Sequence, residues 1–289
     1  MGILSIQSHV AYGHVGNAAA AFALQRLGLE VWPVMTVQLS NHTGYARWRG
    51  RSFEAEHIAE VVRGLEEVGA LAACRAVLSG YLGAAAVGDV VLAAVDRARR
   101  CNPDAFYVCD PVMGDHGRGL YVSEAVAAFM RDRAVPRARI VTPNLFELER
   151  LAGRPIGSGE AALAAAQELR ALGPEVVLVT SLRFPEREPE SVALLAVTGE
   201  GAWRVVTPWL EMNPPANGAG DVIAALFLGH YLLAGNGPER VAEAAARAAS
   251  ATFALVAATQ AAGSRELQLI AAQEQLVRPA RLFAAERVG

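Results

Sequence analysis

Three small residues, Gly218, Ala219 and Gly220, stand directly before an acid, Asp221, at the start of a very apolar segment. Small residues let backbone N–H groups converge at a helix start, where those donors and the helix dipole attract an anion. An acid there would repel a phosphate, unless it serves to accept a proton from a hydroxyl that attacks the phosphorus. The amides would then stabilise the charge that develops on the transferred group. A simpler interpretation is that Asp221 caps the helix and the glycines form a tight turn.

A second pair, Asn144 and Glu147, opens a segment that the sequence predicts to be a helix ending at Gly153. An asparagine followed three residues later by a glutamate is the pattern of a capping box, in which each side chain binds the other residue's backbone N–H. Taken alone, this pair therefore predicts only a helix start.

The composition excludes several other chemistries. All 26 basic residues are arginine. A Walker A loop and an internal Schiff base with pyridoxal phosphate both require a lysine, so both classes are excluded. The histidines other than His42 show no metal-ligand spacing, and no Gly-x-Ser-x-Gly motif predicts a serine hydrolase.

The net charge and the cysteines indicate the expected cellular location and partners of the protein. A net charge of -3 gives no basic surface for nucleic acid. Cys74, Cys101 and Cys109 form no CxxC pair, which favours a reducing compartment without disulfides. Asp89 and Asp96 interrupt the best candidate for a membrane span, and the N-terminus lacks a basic signal region. We therefore expect a cytoplasmic protein that binds neither nucleic acid nor membrane.

Short, continuously apolar runs alternate with Ala- and Leu-rich segments along the whole chain. This pattern predicts an α/β fold with a mostly parallel central sheet, helices on both faces and antiparallel edge strands. No long linker interrupts it, so residues 1–289 are predicted to form a single domain. The glycine-rich stretch 114–119 follows a predicted strand, at the sheet edge where ligands bind, and is expected to be a movable loop.

The turn at 218–221 and the Asn-x-x-Glu motif resemble the signatures of ribokinase-like small-molecule kinases. The resemblance implies that Asp221 is the catalytic base and that Gly218, Ala219 and Gly220 form the anion hole. It also implies that Asn144 and Glu147 help to organise Mg²⁺, water and the phosphates of ATP.

Several longer blocks resemble pyridoxal kinases in particular, from Ser5 to about Gln273; they include QSHVAYGHVGN, VQLSNHTGYARWRG, LSGYLG, CDPVMGD and ELQLIAAQ. The resemblance implies a set of residues that contact pyridoxal: Ser8, His42, Thr43, Gly44, Tyr81 and Asp221. His42 carries less weight than Thr43, because a lone histidine is more often a packed or surface residue. Tyr81 fits stacking on the ring and core packing equally well.

The same resemblance implies a nucleotide side, which comprises Asp110, Tyr121, Thr142, Asn144, Glu147, Thr180, Ser181, Val206, Thr207, Pro208 and Trp209. It places a metal site, largely through water, at Asp110, Asp115 and Glu147. Some family members carry a lysine where this chain has Thr180. Its absence leaves the phosphate charge to Mg²⁺, backbone amides and Arg118.

The expected reaction is ATP-dependent phosphorylation of the 5'-hydroxyl of pyridoxal, with Mg²⁺ and K⁺, in a homodimer. Two alternatives remain open. The protein could phosphorylate another alcohol, such as hydroxymethylpyrimidine or a sugar, against which the SNHTGY loop argues. It could also bind pyridoxal phosphate without catalysis, against which the presence of Asp221, Asn144 and Glu147 argues.

Overall fold

The computed structural model describes residues 1–213, 215–235, 237 and 239–289. The described residues form strands that we number in chain order: β1 (Gly2–Val10), β2 (Glu30–Leu39), β3 (Gly50–Ser52), β4 (Cys74–Ser79), β5 (Phe106–Cys109), β6 (Gly114–Asp115), β7 (Gly119–Leu120), β8 (Ile140–Val141), β9 (Val176–Leu182), β10 (Ser191–Val197), β11 (Ala202–Pro208) and β12 (Ala285–Val288).

The helices pack on both faces of the sheet that these strands build. They are α1 (Asn17–Arg26), α2 (Ala55–Glu67), α3 (Ala85–Cys101), α4 (Glu124–Phe129), α5 (Val135–Arg137), α6 (Leu145–Ala152), α7 (Gly159–Arg170), α8 (Ala219–Leu233), α9 (Arg240–Ala261) and α10 (Gln273–Val277). A 3₁₀ turn, Ala70–Ala73, precedes β4, and a π-helical turn, Met130–Ala134, joins α4 to α5.

In the described part of the chain, one ten-stranded sheet has the order β12-β11-β10-β9-β8-β5-β4-β1-β2-β3. The strands from β9 across to β2 are parallel, whereas β3 at one edge and β10, β11 and β12 at the other pair antiparallel. Helical crossovers connect most of the parallel strands, and short loops connect β9, β10 and β11, as those two kinds of pairing require. The predicted fold class, a mostly parallel α/β sheet with antiparallel edges, is confirmed.

Both faces of the central strands are buried, which explains why the strand sequences are apolar without alternation. On β1, Leu4 packs into the core beneath α2, α3, α6 and α7, while its neighbour Ile3 packs into the core beneath α1, α8 and α9. On β5, Tyr107 and Phe106 divide in the same way. Because these strands are parallel, their carboxyl ends all lie at the same edge of the sheet.

A buried asparagine anchors α1 to β1 and β2. Asn17 accepts a hydrogen bond from the Ser5 hydroxyl at 2.7 Å, and its amide donates to the carbonyls of Gln7 at 3.2 Å and Val34 at 3.1 Å. Because these acceptors belong to β1 and β2, one side chain fixes the start of α1 against both strands. The loop 11–16, which leads from β1 into α1, therefore ends at a fixed position against the sheet.

Several elements differ from the sequence prediction. The expected loop 114–119 is a two-stranded hairpin, in which β6 pairs with β7. Strands β3 and β12 and helices α2, α4 and α5 were not predicted. The apolar segment after Asp221 forms most of α8, which α9 and α10 follow; residues 236 and 238, between α8 and α9, lie outside the described residues.

Helix α9 is long and apolar enough, by length and composition, to cross a membrane. The best candidate for a span in the sequence was the region of Asp89 and Asp96, and α9 was not considered as one. Half of its most apolar 18-residue window is buried, and Ala244, Ala248 and Leu255 belong to the core beneath the sheet. Its apolar character is accounted for by that packing.

His230 on α8 gives a prediction about pH. Burial lowers the pKa of His230 to about 4, and Arg247 acts in the same direction. Because the unfolded chain binds a proton at higher pH than the folded chain does, this group's stabilising contribution is present at pH 7. It is lost as pH falls through the unfolded value, by roughly 2 kcal/mol at pH 5.

We therefore expect His230→Gln to remove this part of the pH dependence. Urea unfolding at pH 7 and pH 5 measures it, as the difference between the wild type and the variant. An equal loss of unfolding free energy in both proteins would contradict the assignment to His230.

Candidate active site

The glycine turn has the backbone geometry of an anion site. Gly218 is the residue before α8 and has a φ of 90°. A methyl group on Gly218 would lie 1.9 Å from the carbonyl oxygen of His14, so only glycine fits there. At Gly220, by contrast, an added Cβ would meet no atom within 4 Å. The first amides of α8 have no partner within the helix, so they are donors available to a ligand.

Asp221 lies in the first turn of α8 rather than at its cap, because the helix begins at Ala219. The simpler interpretation, in which Asp221 caps the helix, is therefore wrong. Burial raises the pKa of Asp221 to about 6, and the backbone amide of Gly16 acts in the opposite direction. At neutral pH the carboxylate is mostly ionised and can accept a proton.

Gly16 also connects Asp221 to Ser8. Gly16 has a φ of 56° and packs so closely on β1 that a methyl group there would lie 2.6 Å from the Ser8 hydroxyl oxygen. The end of β1 and the start of α8 thus meet at one glycine. Gly16 was not predicted as a site residue, because nothing in the local pattern separates it from Gly13 in the same loop.

The substrate loop, residues 40–49, carries three of the residues predicted to contact pyridoxal, His42, Thr43 and Gly44. Thr43 and Gly44 are exposed, and His42 is half-buried. His42 Nδ1 accepts a hydrogen bond from the Gly44 amide at 3.1 Å, and burial lowers the pKa of His42 below its ordinary value. His42 Nδ1 therefore acts as an acceptor within the loop and shapes the loop around Gly44. Tyr81, after β4, is half-buried, and burial raises its pKa.

Asp110 follows β5 and is almost completely buried. The Thr142 hydroxyl donates to its Oδ1 at 3.0 Å, so Thr142 holds Asp110 rather than facing open space. Burial raises the pKa of Asp110 well above its ordinary value, and the charges of Glu147 and Asp221 raise it further. The structure thus brings three predicted carboxylates within electrostatic reach of one another.

Asn144 and Glu147 form the predicted capping box at the start of α6, and Glu147 does more than cap. Its Oε2 accepts from the Asn144 amide at 2.9 Å, while its Oε1 accepts from the Met113 amide at 2.8 Å. The Asn144 side chain donates to the Gly114 carbonyl at 2.8 Å. The box therefore joins α6 to the segment that leads into the hairpin. Burial raises the pKa of Glu147 to about 7, and these amides oppose that rise.

Replacing Glu147 by glutamine is expected to destabilise the protein by roughly 1–3 kcal/mol, because one buried N–H would then face the amide group of the glutamine. Urea unfolding would measure the loss. Glu124→Gln is the matched control, since Glu124 pairs with Arg150 at 3.0 Å and its side chain is 77% exposed. Equal unfolding free energies for the two variants would contradict the structural role of Glu147.

The hairpin places Asp115, Arg118 and Tyr121 together. Asp115 accepts from the Arg118 backbone amide and from its Nε, both at 2.8 Å. The Arg118 guanidinium lies 5.2 Å from the centre of the Tyr121 ring. Asp115 thus offsets the positive charge of Arg118, which the sequence analysis assigned to phosphate.

Thr180 and Ser181 lie at the end of β9. Thr180 is buried, and its amide donates to the Pro143 carbonyl at 2.9 Å, next to Asn144. Ser181 has a φ of 56°, the only positive φ at a non-glycine residue in the described chain. Backbone strain of this kind clusters at functional sites, and no sequence pattern indicated it.

The segment from Val206 to Trp209 ends β11. Thr207 is buried, while Val206 and Trp209 are partly exposed. The Arg183 guanidinium, which the sequence analysis did not consider, lies 4.2 Å from the centre of the Trp209 ring. This stacked pair lies just after the carboxyl ends of β9 and β11.

Among the described residues, no group of three or more histidine, cysteine or acidic side chains is arranged to hold a metal directly. Asp115 is engaged by Arg118 and Glu147 by backbone amides, so the predicted trio does not form a ligand cage. The residues nevertheless fit Mg²⁺, which keeps several waters and needs only one or two carboxylates beside substrate phosphates. The mutual repulsion at Asp110, Glu147 and Asp221 is what a bound cation would relieve.

Comparison with known proteins is consistent with this geometry. A family model described as phosphomethylpyrimidine kinase matches residues 28–265. Pyridoxal kinase PdxY of Rubrobacter xylanophilus is 55% identical over 290 residues, which cover 100% of this chain and 98% of the relative. Pyridoxal kinase PdxY of Deinococcus radiodurans is 52% identical, with 99% and 96% covered.

Solved structures agree. A pyridoxal kinase from Leishmania donovani, in complex with ADP and pyridoxamine, has a TM-score of 0.91 and 30% sequence identity, with 100% of this chain and 99% of that chain covered. A parallel sheet of this topology with a glycine turn before α8 defines a small-molecule kinase of ribokinase-like fold. Within that class, the chain belongs to the pyridoxal kinase family. The resemblance stated from the sequence is confirmed.

Proposed function

We propose that the protein transfers the γ-phosphoryl group of ATP to the 5'-hydroxyl of pyridoxal, which yields pyridoxal 5'-phosphate and ADP. The observation that carries the proposal is the junction of Asp221, Gly16 and Ser8. It puts an ionisable base beside a residue that the resemblance assigns to pyridoxal. The relatives are named pyridoxal kinases, and the family supports the same reaction.

In the proposed reaction, the 5'-oxygen forms a bond to the γ-phosphorus as the bond from that phosphorus to the β,γ-bridging oxygen breaks. ADP leaves with that electron pair, and Asp221 accepts the hydroxyl proton. The free amides of Ala219 and Gly220 stabilise charge on the transferred group. Phosphoryl transfer asks a protein mainly for this positioning and charge stabilisation.

When bound, Mg²⁺ would offset the negative charge of the phosphates. Asp110 and Glu147 would hold it, largely through water, with Asp115 in support. Activity should therefore be lost on chelation and recovered when Mg²⁺ is added back. K⁺ is a further proposal from the resemblance, to which no residue is assigned here, and replacing K⁺ by Na⁺ in the assay tests it.

The nucleotide would lie along the carboxyl ends of β8, β9 and β11. Support comes from the strained Ser181 and from the exposed Trp209. Thr142 would act there by holding Asp110. Tyr121 would border the phosphates from the hairpin side.

The test is a direct assay. Purified protein is mixed with MgATP, K⁺ and pyridoxal, and pyridoxal phosphate is followed by its absorbance. Pyridoxine, pyridoxamine and hydroxymethylpyrimidine are run in parallel, because the matching family model is described as phosphomethylpyrimidine kinase. Formation of pyridoxal phosphate supports the proposal.

The other outcomes separate the alternatives. ADP release with hydroxymethylpyrimidine alone would keep the fold and the catalytic turn and overturn the assignment of the substrate loop. No turnover of any alcohol, together with tight binding of pyridoxal phosphate, would favour a binder without catalysis.

The assembly and location are also proposals. The resemblance supports a homodimer with one site in each subunit, which sedimentation velocity would test. A cytoplasmic location, without nucleic acid or membrane as partner, is supported by the net charge of -3 and by the free cysteines, two of which are buried.

A further inference from the structure

One carboxylate that takes no part in the proposed reaction joins two loops of the site. Glu266, between α9 and α10, is buried. It accepts a hydrogen bond from the Tyr45 hydroxyl at 2.7 Å and one from the His14 amide at 3.3 Å. Tyr45 belongs to the substrate loop and His14 to the loop 11–16, so a single side chain ties these two loops together.

The backbone of Glu266 reaches the catalytic turn as well. Glu266 forms a β-bridge with Asn217, the residue directly before Gly218. The His14 carbonyl is the atom against which Gly218 packs. Displacing Glu266 would therefore disturb the glycine turn from two directions.

The space around the carboxylate is kept clear for it. Gly13 has a φ of 93°, and a methyl group there would lie 2.0 Å from Glu266 Oε2. Any side chain at position 13 would push the carboxylate away from His14. Because Gly13 leaves room for the Glu266 carboxylate, this buried side chain has a fixed position between the loops.

Arg265 fastens the same loop from outside. Its guanidinium lies 4.0 Å from the centre of the Tyr45 ring and donates a hydrogen bond to the Gly44 carbonyl. The substrate loop is closed within itself by the Asn41 side chain, which donates to the Arg47 carbonyl at 2.9 Å. The loop is therefore tied to the rest of the site at Tyr45, through Glu266, and at Gly44, through Arg265.

We propose that Glu266 and Tyr45 are positioning residues that hold the substrate loop at a fixed distance from the catalytic turn. They touch neither substrate nor reacting atoms. Their hydrogen bond sets where Thr43 and Gly44 stand relative to Asp221, and so sets the affinity for the alcohol substrate rather than for ATP. The inference rests on the proposed function, because it takes the loop as the side where pyridoxal binds.

Kinetics of Tyr45→Phe and Glu266→Gln test the proposal. Loss of a hydrogen bond to a charged group is expected to raise the KM for pyridoxal by about tenfold. The KM for ATP should stay unchanged. Tyr45→Phe breaks the hydrogen bond, and Glu266→Gln removes the charge that strengthens it, so the effects of the two substitutions should be less than additive in the double variant. Glu274→Gln is the control, since Glu274 pairs with Arg26 at 2.8 Å and is 77% exposed.

A second readout needs no catalysis. Hydrogen exchange of residues 41–49 in the ligand-free protein should be faster in Tyr45→Phe than in the wild type, with the strands unchanged. Unchanged exchange and unchanged KM for pyridoxal would overturn the proposal, as would equal rises in both KM values. If the wild type phosphorylates no pyridoxal, the proposed function fails, and the exchange experiment still decides whether the contact restrains the loop. Should Glu266→Gln fail to fold, Tyr45→Phe decides alone.

Discussion

Replacing Asp221 by asparagine is expected to lower kcat by roughly 10²–10⁴-fold while leaving the KM for pyridoxal little changed. Asparagine keeps the shape of the side chain and an oxygen that can accept from the Gly16 amide, so binding geometry is preserved. It cannot take up the proton of the attacking hydroxyl. A base acts in the transition state, so its loss appears in kcat.

Steady-state kinetics with pyridoxal and MgATP measure this effect, and Asp132→Asn is the matched control. Asp132 pairs with its neighbour Arg131 on the surface, and its side chain is 56% exposed. The same chemical change there should leave kcat as in the wild type. An Asp221→Asn protein with wild-type kcat would remove Asp221 from the reaction.

Gly218→Ala is expected to damage both the stability and the activity of the protein. The left-handed backbone at Gly218 alone costs an alanine about 1–2 kcal/mol, and the methyl group would collide with the His14 carbonyl oxygen at 1.9 Å. Relief of that collision must move the first turn of α8. Since losing one such donor costs roughly 10²–10³-fold in kcat, a fall of that order is expected.

Gly220→Ala, two residues on, separates these effects. Its added Cβ meets no atom within 4 Å, and an alanine in a helix is more favourable than a glycine by roughly 0.5–1 kcal/mol. Thermal unfolding should therefore show a lower Tm for Gly218→Ala and an equal or higher Tm for Gly220→Ala. A reversed order of the two Tm values would mean that the turn has a different geometry.

Much of the fold could be predicted because its strands are buried on both faces. The run of β5 is apolar throughout, and those of β4 and β9 contain only two polar residues each, a pattern with few interpretations. Helix α2 could also have been predicted, since Ile58 and Val62 are buried at a spacing of four residues. The short β3 and β12 could not, because their partners rather than their own sequences make them strands.

Some residues of the site could likewise be predicted from the sequence, and others could not. The glycine turn and the capping box are local patterns, and both were visible in the sequence. Glu266 was not, because its hydrogen bonds reach residues 252 and 221 positions away in the chain. The left-handed Ser181 and the close approach of Gly16 to Ser8 are also set by tertiary contacts, for which a single sequence carries no signal.

The two edges of the sheet have a consequence for how copies of this chain meet. An edge strand offers unpaired N–H and C=O groups on which another molecule's strand can grow, and short, charged edges discourage such growth. Here β3 is three residues long and exposed with Arg51 at its centre, and β12 is four residues long with Glu286 and Arg287 exposed. Continuous cross-β growth from either edge is thereby disfavoured, which protects a very apolar sheet from aggregation at high concentration.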